Sequence, residues 1–240
     1  GCSAGGLAAP LHARHVQSRL PKASVAILVD SALFPDWSTE SPVASAWRLD
    51  LQIRDMFQMA ELQSSPVIPA ECIEAHFEEP WRCIFLEHLL PVIARDFPAF
   101  VLQSRFDTSN LRSISDRAAV EAFGDHMAAR VERILSLESP TRNALGLFFD
   151  SCFHHCMRWH ELAIGGSRPA RLFDSWLAEV FAEPFPQDGG RLGSEGLPTA
   201  TWRRLETSRN FPCEACCGQS GQDFEDWAKH FQEVALEKPA

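Results

Sequence analysis

Three short stretches carry the side chains that acyl transfer needs. Gly1-Cys2-Ser3-Ala4-Gly5 fits G-x-S-x-G, a strained turn between a strand and a helix that exposes the serine and keeps its neighbours small. The same glycines do not suit a phosphate cradle. Gly6-Leu7-Ala8-Ala9-Pro10 supplies neither the further glycine of a dinucleotide fingerprint nor the Gly-Lys pair of a P-loop. Downstream, Ser104-Arg105-Phe106-Asp107 follows one apolar run and Asp150-Ser151-Cys152-Phe153-His154-His155-Cys156 follows another. A histidine there would take the proton from Ser3 and return it to a leaving alcohol, while Asp107 would orient the imidazole and stabilise its charged form. The oxyanion of the tetrahedral intermediate needs donors too, and the backbone N–H of Ala4, at the start of the helix after the turn, would be one.

Such residues must be held by elements, and the periodicity supplies them. Ser24 to Asp30, Ala99 to Gln103 and Leu145 to Phe149 are short apolar runs without polar alternation, as strands buried on both faces of a parallel sheet require. Val120, Phe123, Met127, Val131, Ile134 and Leu135 fall at helical spacing after Ser115 and Asp116, which stand where an N-cap belongs. A helix is expected over roughly residues 6–20, although Pro10 would remove one of its hydrogen bonds and press on the carbonyl of Gly6. The resulting order is turn, helix, strand, insertion, strand, helix, strand, an α/β fold of the α/β-hydrolase type with a mostly parallel sheet flanked by helices. A single, partial catalytic domain is expected over residues 1–240, with an insertion at 31–98 and a loop-rich part from about 183. In the insertion, Leu49, Ile53, Met56, Phe57 and Ala60 suggest a helix over the sheet edge, serving as a lid or as packing. Residues 183–199 read as a long loop, and Phe224, Trp227, Phe231 and Val234 as a final amphipathic helix.

Composition narrows the functions. With 240 residues, 45% of them hydrophobic, the chain can bury a sizeable core, and a net charge of −10 without a basic, aromatic-laced run argues against nucleic acid as a partner. No apolar stretch reaches membrane-spanning length. Eight cysteines are many for a cytosolic enzyme and favour an oxidising compartment. Cys152, Cys156, Cys213 and Cys216 could alternatively form a structural zinc site of C-x3-C and C-x2-C spacing. Asp107 has a second reading as an N-cap, with Asp107-Thr108-Ser109 capping the segment that follows. Asp30, also at a strand end, could line an acyl pocket or act as a cap.

GCSAGGLAA, LVDSALF, FVLQSRFD and GLFFDSCFHHC, in that order, resemble the pectin acetylesterase and Notum family over Gly1 to about Ala178. The resemblance implies a secreted carboxylic ester hydrolase with Ser3 as nucleophile, Asp107 as acid and His155, directly before the second cysteine, as base. It implies no cofactor and no metal. The substrates would be acetylated polysaccharide such as pectin or, in the Notum-like alternative, a lipid-acylated protein; a catalytically inactive relative that binds glycan or protein is a further alternative. It also implies disulfides in place of zinc: Cys72 with Cys83, Cys152 and Cys156 tied to the region of Cys213, Cys216 and Cys217, and Cys2 buried and free. The chain starts at Gly1 inside a motif, so it is expected to be truncated ahead of the turn. It would then lack the entering strand, the family's upstream oxyanion-hole glycines and tryptophan, and any visible signal peptide, and by itself would not be a competent enzyme.

Overall fold

The computed structural model describes residues 1–36, 49–111, 114, 116–136, 145–182, 203–205, 217–219, 225, 226 and 229. The apolar runs form a parallel sheet, β1 (Ile27–Asp30), β2 (Ala99–Asp107), β3 (Leu145–His154) and β4 (Arg203–Leu205), in that spatial order. Because side chains alternate along a strand, Ala99 and Val101 enter one apolar cluster while Phe100 and Leu102 enter the other. Helices cover both faces. α1 (Ala4–Arg19) packs on β1, α5 (Arg117–Ser136) on β2 and α6 (Pro169–Val180) on β3. In α5 the helical spacing holds: Val120, Phe123, Met127 and Val131 are buried, and the Asp116 carboxylate accepts the Ala119 N–H at 2.8 Å. Ser115, the other candidate cap, lies outside the described residues.

Helix α1 begins at Ala4, directly after the serine, and continues through a buried Pro10. The proline removes a bond to the Gly6 carbonyl without ending the helix. The insertion between β1 and β2 contributes α2 (Leu49–Met59), α3 (Ala70–Ala75), α4 (Leu86–Ile93) and two 3-10 turns, Leu62–Ser64 and Pro80–Ile84. Ile53 and Phe57 of α2 are buried, and α2 packs on those two turns. An open cavity of about 740 Å³ beside it is lined by Arg54, Phe57, Gln58, Phe77 and Trp81 among others, and by none of Ser3, Asp107 or His155. The expected loop at 183–199 lies outside the described residues, as do Phe224, Trp227, Phe231 and Val234.

The two central strands run further than their apolar runs. β2 continues from Gln103 to Asp107 and β3 from Phe149 to His154, so the polar residues that follow the apolar runs extend the strands. The register explains how. Ser104 pairs with Asp150 but Phe106 pairs with Phe153, so β3 carries one extra residue, a β-bulge. The bulge uses the polar residues that interrupt the apolar pattern: Ser104 Oγ donates to the Cys152 carbonyl and accepts the Phe106 N–H, and Asp150 accepts the Cys152 N–H at 2.9 Å. Beyond it, Asp107 and His154 stand opposite each other at the carboxyl end of the sheet.

Candidate active site

Ser3 sits between a short bridge to β1 and the first turn of α1. Its φ of 54° and ψ of −128° lie where a non-glycine residue is strained, and its N–H donates to the Asp30 carbonyl at 2.9 Å. The hydroxyl does not cap the helix, so a mere capping serine is not what the geometry describes. Ala4 is the first helical residue, and its N–H is one of those a helix N-terminus leaves without an intrahelical partner. Close packing explains the small neighbours: a Cβ on Gly6 would lie 2.5 Å from the Ala32 Cβ.

Asp107 and His155 are in direct contact. Nδ1 of His155 is 2.9 Å from both carboxylate oxygens of Asp107, which is fully buried, while the imidazole is about one-fifth exposed. With Nδ1 engaged, Nε2 is the nitrogen left for a hydroxyl proton. The capping bonds read for Asp107 are present beside the contact with His155: its Oδ1 also accepts the Ser109 N–H at 2.9 Å and the Asn110 N–H at 3.3 Å. Its second oxygen accepts from Gln103 Nε2 at 3.3 Å. Gln103 is fully buried, and its Oε1 accepts the Leu33 N–H at 2.9 Å. The sequence reading missed this residue, whose signal was a lone amide within a buried strand.

His154 points elsewhere. Its Nε2 is 3.1 Å from both oxygens of Asp150, and both side chains are buried. Burial opposes a proton on this ring, but the charge and hydrogen bond of Asp150, with Asp107 and Asp30 adding, outweigh it and raise the histidine above its ordinary value. Nδ1 of His154 is buried without a hydrogen-bond partner among the described residues. His154, the last residue of β3, and His155, directly after it, thus face two different carboxylates.

The cysteine pairing corrects part of the expectation. Cys72 joins Cys83 and Cys152 joins Cys217, but Cys2 is not free: it joins Cys156, with Cα atoms 6.0 Å apart. Cys2 precedes Ser3 and Cys156 follows His155, so this crosslink joins the segment that carries the serine to the one that carries the histidine. Cys156 is therefore not tied to the region of Cys213, and with Cys152 and Cys156 in separate disulfides the four-thiolate zinc set is not formed. Cys213 and Cys216 lie outside the described residues.

Asp30 is 3% exposed, and its carboxylate accepts from Ser31 Oγ, the Met157 N–H and the Trp159 indole N–H at 2.9, 3.0 and 2.9 Å. It braces the chain that leaves His155. Elsewhere, Asp36, Glu87 and His88 each place a possible metal-ligand atom within 4.8 Å of the others. Arg130 pairs with Glu87 and Arg82 lies 3.5 Å from Asp36, so guanidinium groups already supply the positive charge there.

The family model described as Pectinacetylesterase matches residues 1–164. Pectin acetylesterase 11 and pectin acetylesterase 7 of Arabidopsis thaliana are each 24% identical over 208 residues, 77% of this chain and 50% of the relative. The chain thus spans about half the length of these curated relatives. Among solved structures, the Wnt deacylase Notum from Drosophila superposes with a TM-score of 0.65 at 20% identity, covering 90% of this chain and 57% of that one, which supports the α/β-hydrolase-like fold.

Proposed function

This chain belongs to the pectinacetylesterase family, and from that premise we propose that it carries the catalytic centre of a serine carboxylic ester hydrolase. Ser3 attacks the ester carbonyl as His155 Nε2 takes its proton, and Asp107, on Nδ1, holds the ring and stabilises the imidazolium. The Ala4 N–H contributes to the oxyanion site, the protonated His155 then protonates the leaving alcohol, and water, activated by the same imidazole, hydrolyses the acyl-serine. The observation that carries the reading is the Asp107–His155 pair, with the strained Ser3 turn linked to the same histidine segment through Cys2 and Cys156.

The pectin acetylesterase relatives support acetyl groups on pectin as the substrate, and the disulfides support a secretory compartment. The test is turnover of p-nitrophenyl acetate by the whole protein. Ser3→Ala and His155→Ala are expected to lower kcat by about 10⁴-fold or more, and His154→Gln by no more than about tenfold. The reverse ranking of the histidines would overturn the assignment, and equal mild losses at all three positions would remove the serine mechanism.

A further inference from the structure

We infer that Asp30, with Ser31, is a positioning residue that sets Ser3 and His155 in register; this rests on the functional reading above. Asp30 closes β1, and one residue holds both sides of the site. Its backbone carbonyl accepts the N–H of Ser3. Its Oδ2 accepts the N–H of Met157 and the indole N–H of Trp159, and its Oδ1 accepts the Ser31 hydroxyl, whose oxygen in turn accepts the Cys156 N–H at 2.8 Å. Every amide from Cys156 to Met157, the two residues after the histidine, is thereby tied to the residue that also binds the nucleophile's own amide.

The backbone needs this brace. Ser31, Cys156 and Met157 have φ of 51°, 66° and 63°, a region costly for residues with a Cβ unless surrounding bonds fix it. At Cys156 and Met157 the amide bonds are the ones that Ser31 and Asp30 provide, beside the disulfide at Cys156. A strand-end cap would bond amides just downstream of itself, whereas two of the donors reaching the Asp30 carboxylate are 127 and 129 residues away in sequence. The far anchor is firm: the Trp159 ring lies 6.4 Å from Phe100 and 5.7 Å from Phe173, within the aromatic packing beneath α6. The direction in which the His155 imidazole leaves the backbone, and so its approach to Ser3, follows from this turn. Small misplacements of a catalytic pair are costly, about 10²-fold in rate for 1 Å.

Asp30→Asn keeps the size but replaces an acceptor oxygen with a donor that faces N–H or O–H groups. In the folded whole protein it is expected to lower kcat for p-nitrophenyl acetate by about 10²-fold with KM within about twofold, because it disturbs alignment and leaves substrate contacts intact. A second readout does not depend on esterase activity. With the turn loosened, dithiothreitol should open Cys2–Cys156 at least about fivefold faster, measured by alkylation and peptide mass, while Cys72–Cys83 opens at the wild-type rate. If Asp30→Asn does not fold, Trp159→Phe, which deletes a single donor, should show the same two changes at about three- to tenfold in kcat and about twofold in opening rate. Wild-type opening of Cys2–Cys156, or wild-type kcat, in the folded variant would overturn the inference. Absence of Ser3-dependent turnover in the unmutated protein would instead sink the functional reading, and the disulfide measurement would still decide the role of Asp30.

Discussion

Two adjacent histidines with different carboxylates show how much a single position matters. His155 reaches Asp107 and remains partly open to solvent; His154 turns inward to Asp150. The resemblance to the family pointed to His155 by its slot before the second cysteine, but the Asp150–His154 pair was not legible, since nothing in a run of polar residues says which pair faces inward. Gln103 escaped for a similar reason: its partners, Leu33 and Asp107, lie 70 and 4 residues away and only the fold collects them. The inward pair predicts a pH dependence of stability. A histidine raised above 6.5 when folded binds its proton more tightly folded than unfolded, so its stabilisation is full below that value and is lost as pH climbs through the raised folded value. The urea midpoint of wild type should therefore exceed that of His154→Gln most at pH about 5.5 and least at pH about 9. A gap that widens with pH would show that the ring is held neutral.

Among the elements, the strands and helices were legible from periodicity while their ends and crosslinks were not. The apolar runs of β2 and β3 stop at Gln103 and Phe149, but the strands continue because Ser104 and Asp150 satisfy the bulge. Disulfide partners are a property of tertiary proximity: the family resemblance implied Cys72–Cys83 but left Cys2 free, and only the fold sets Cys2 against Cys156. In the chain-entropy picture, closing a loop of 154 residues constrains the unfolded chain by about 5 kcal/mol against about 3 kcal/mol for 11 residues. Cys2→Ala/Cys156→Ala should accordingly lose more denaturant stability than Cys72→Ala/Cys83→Ala, and equal losses would contradict that ranking. The seat of α5 on β2 is testable too, because a Cβ at Gly124 would collide with the Phe106 ring, which stacks on Phe153 at 5.9 Å. Gly124→Ala should cost about 1–3 kcal/mol, read by thermal melting, and should lower kcat as well, since Phe106 adjoins Asp107.

For the whole molecule, the charge of −10 and the crosslinks fit an acidic protein of an oxidising compartment, and no helix among the described residues is long and apolar enough to cross a membrane. The fold class followed from the order of apolar runs and helical spacing, and the family from motifs that the sheet gathers at one end. Acyl length did not follow, because pocket depth depends on how distant segments pack. Short chains are the expectation from the acetylesterase relatives: kcat/KM of the whole protein for acetyl esters should exceed that for palmitoyl esters, and the opposite preference would assign a lipid deacylase. The central claim, that Ser3 is a nucleophile activated by His155, is tested most directly by reacting the whole protein with a fluorophosphonate and mapping the adduct by peptide mass. The account predicts a single adduct on Ser3, formed at a comparable rate in His154→Gln and lost in His155→Ala; an adduct on another residue, or undiminished labelling of Ser3 in His155→Ala, would contradict it.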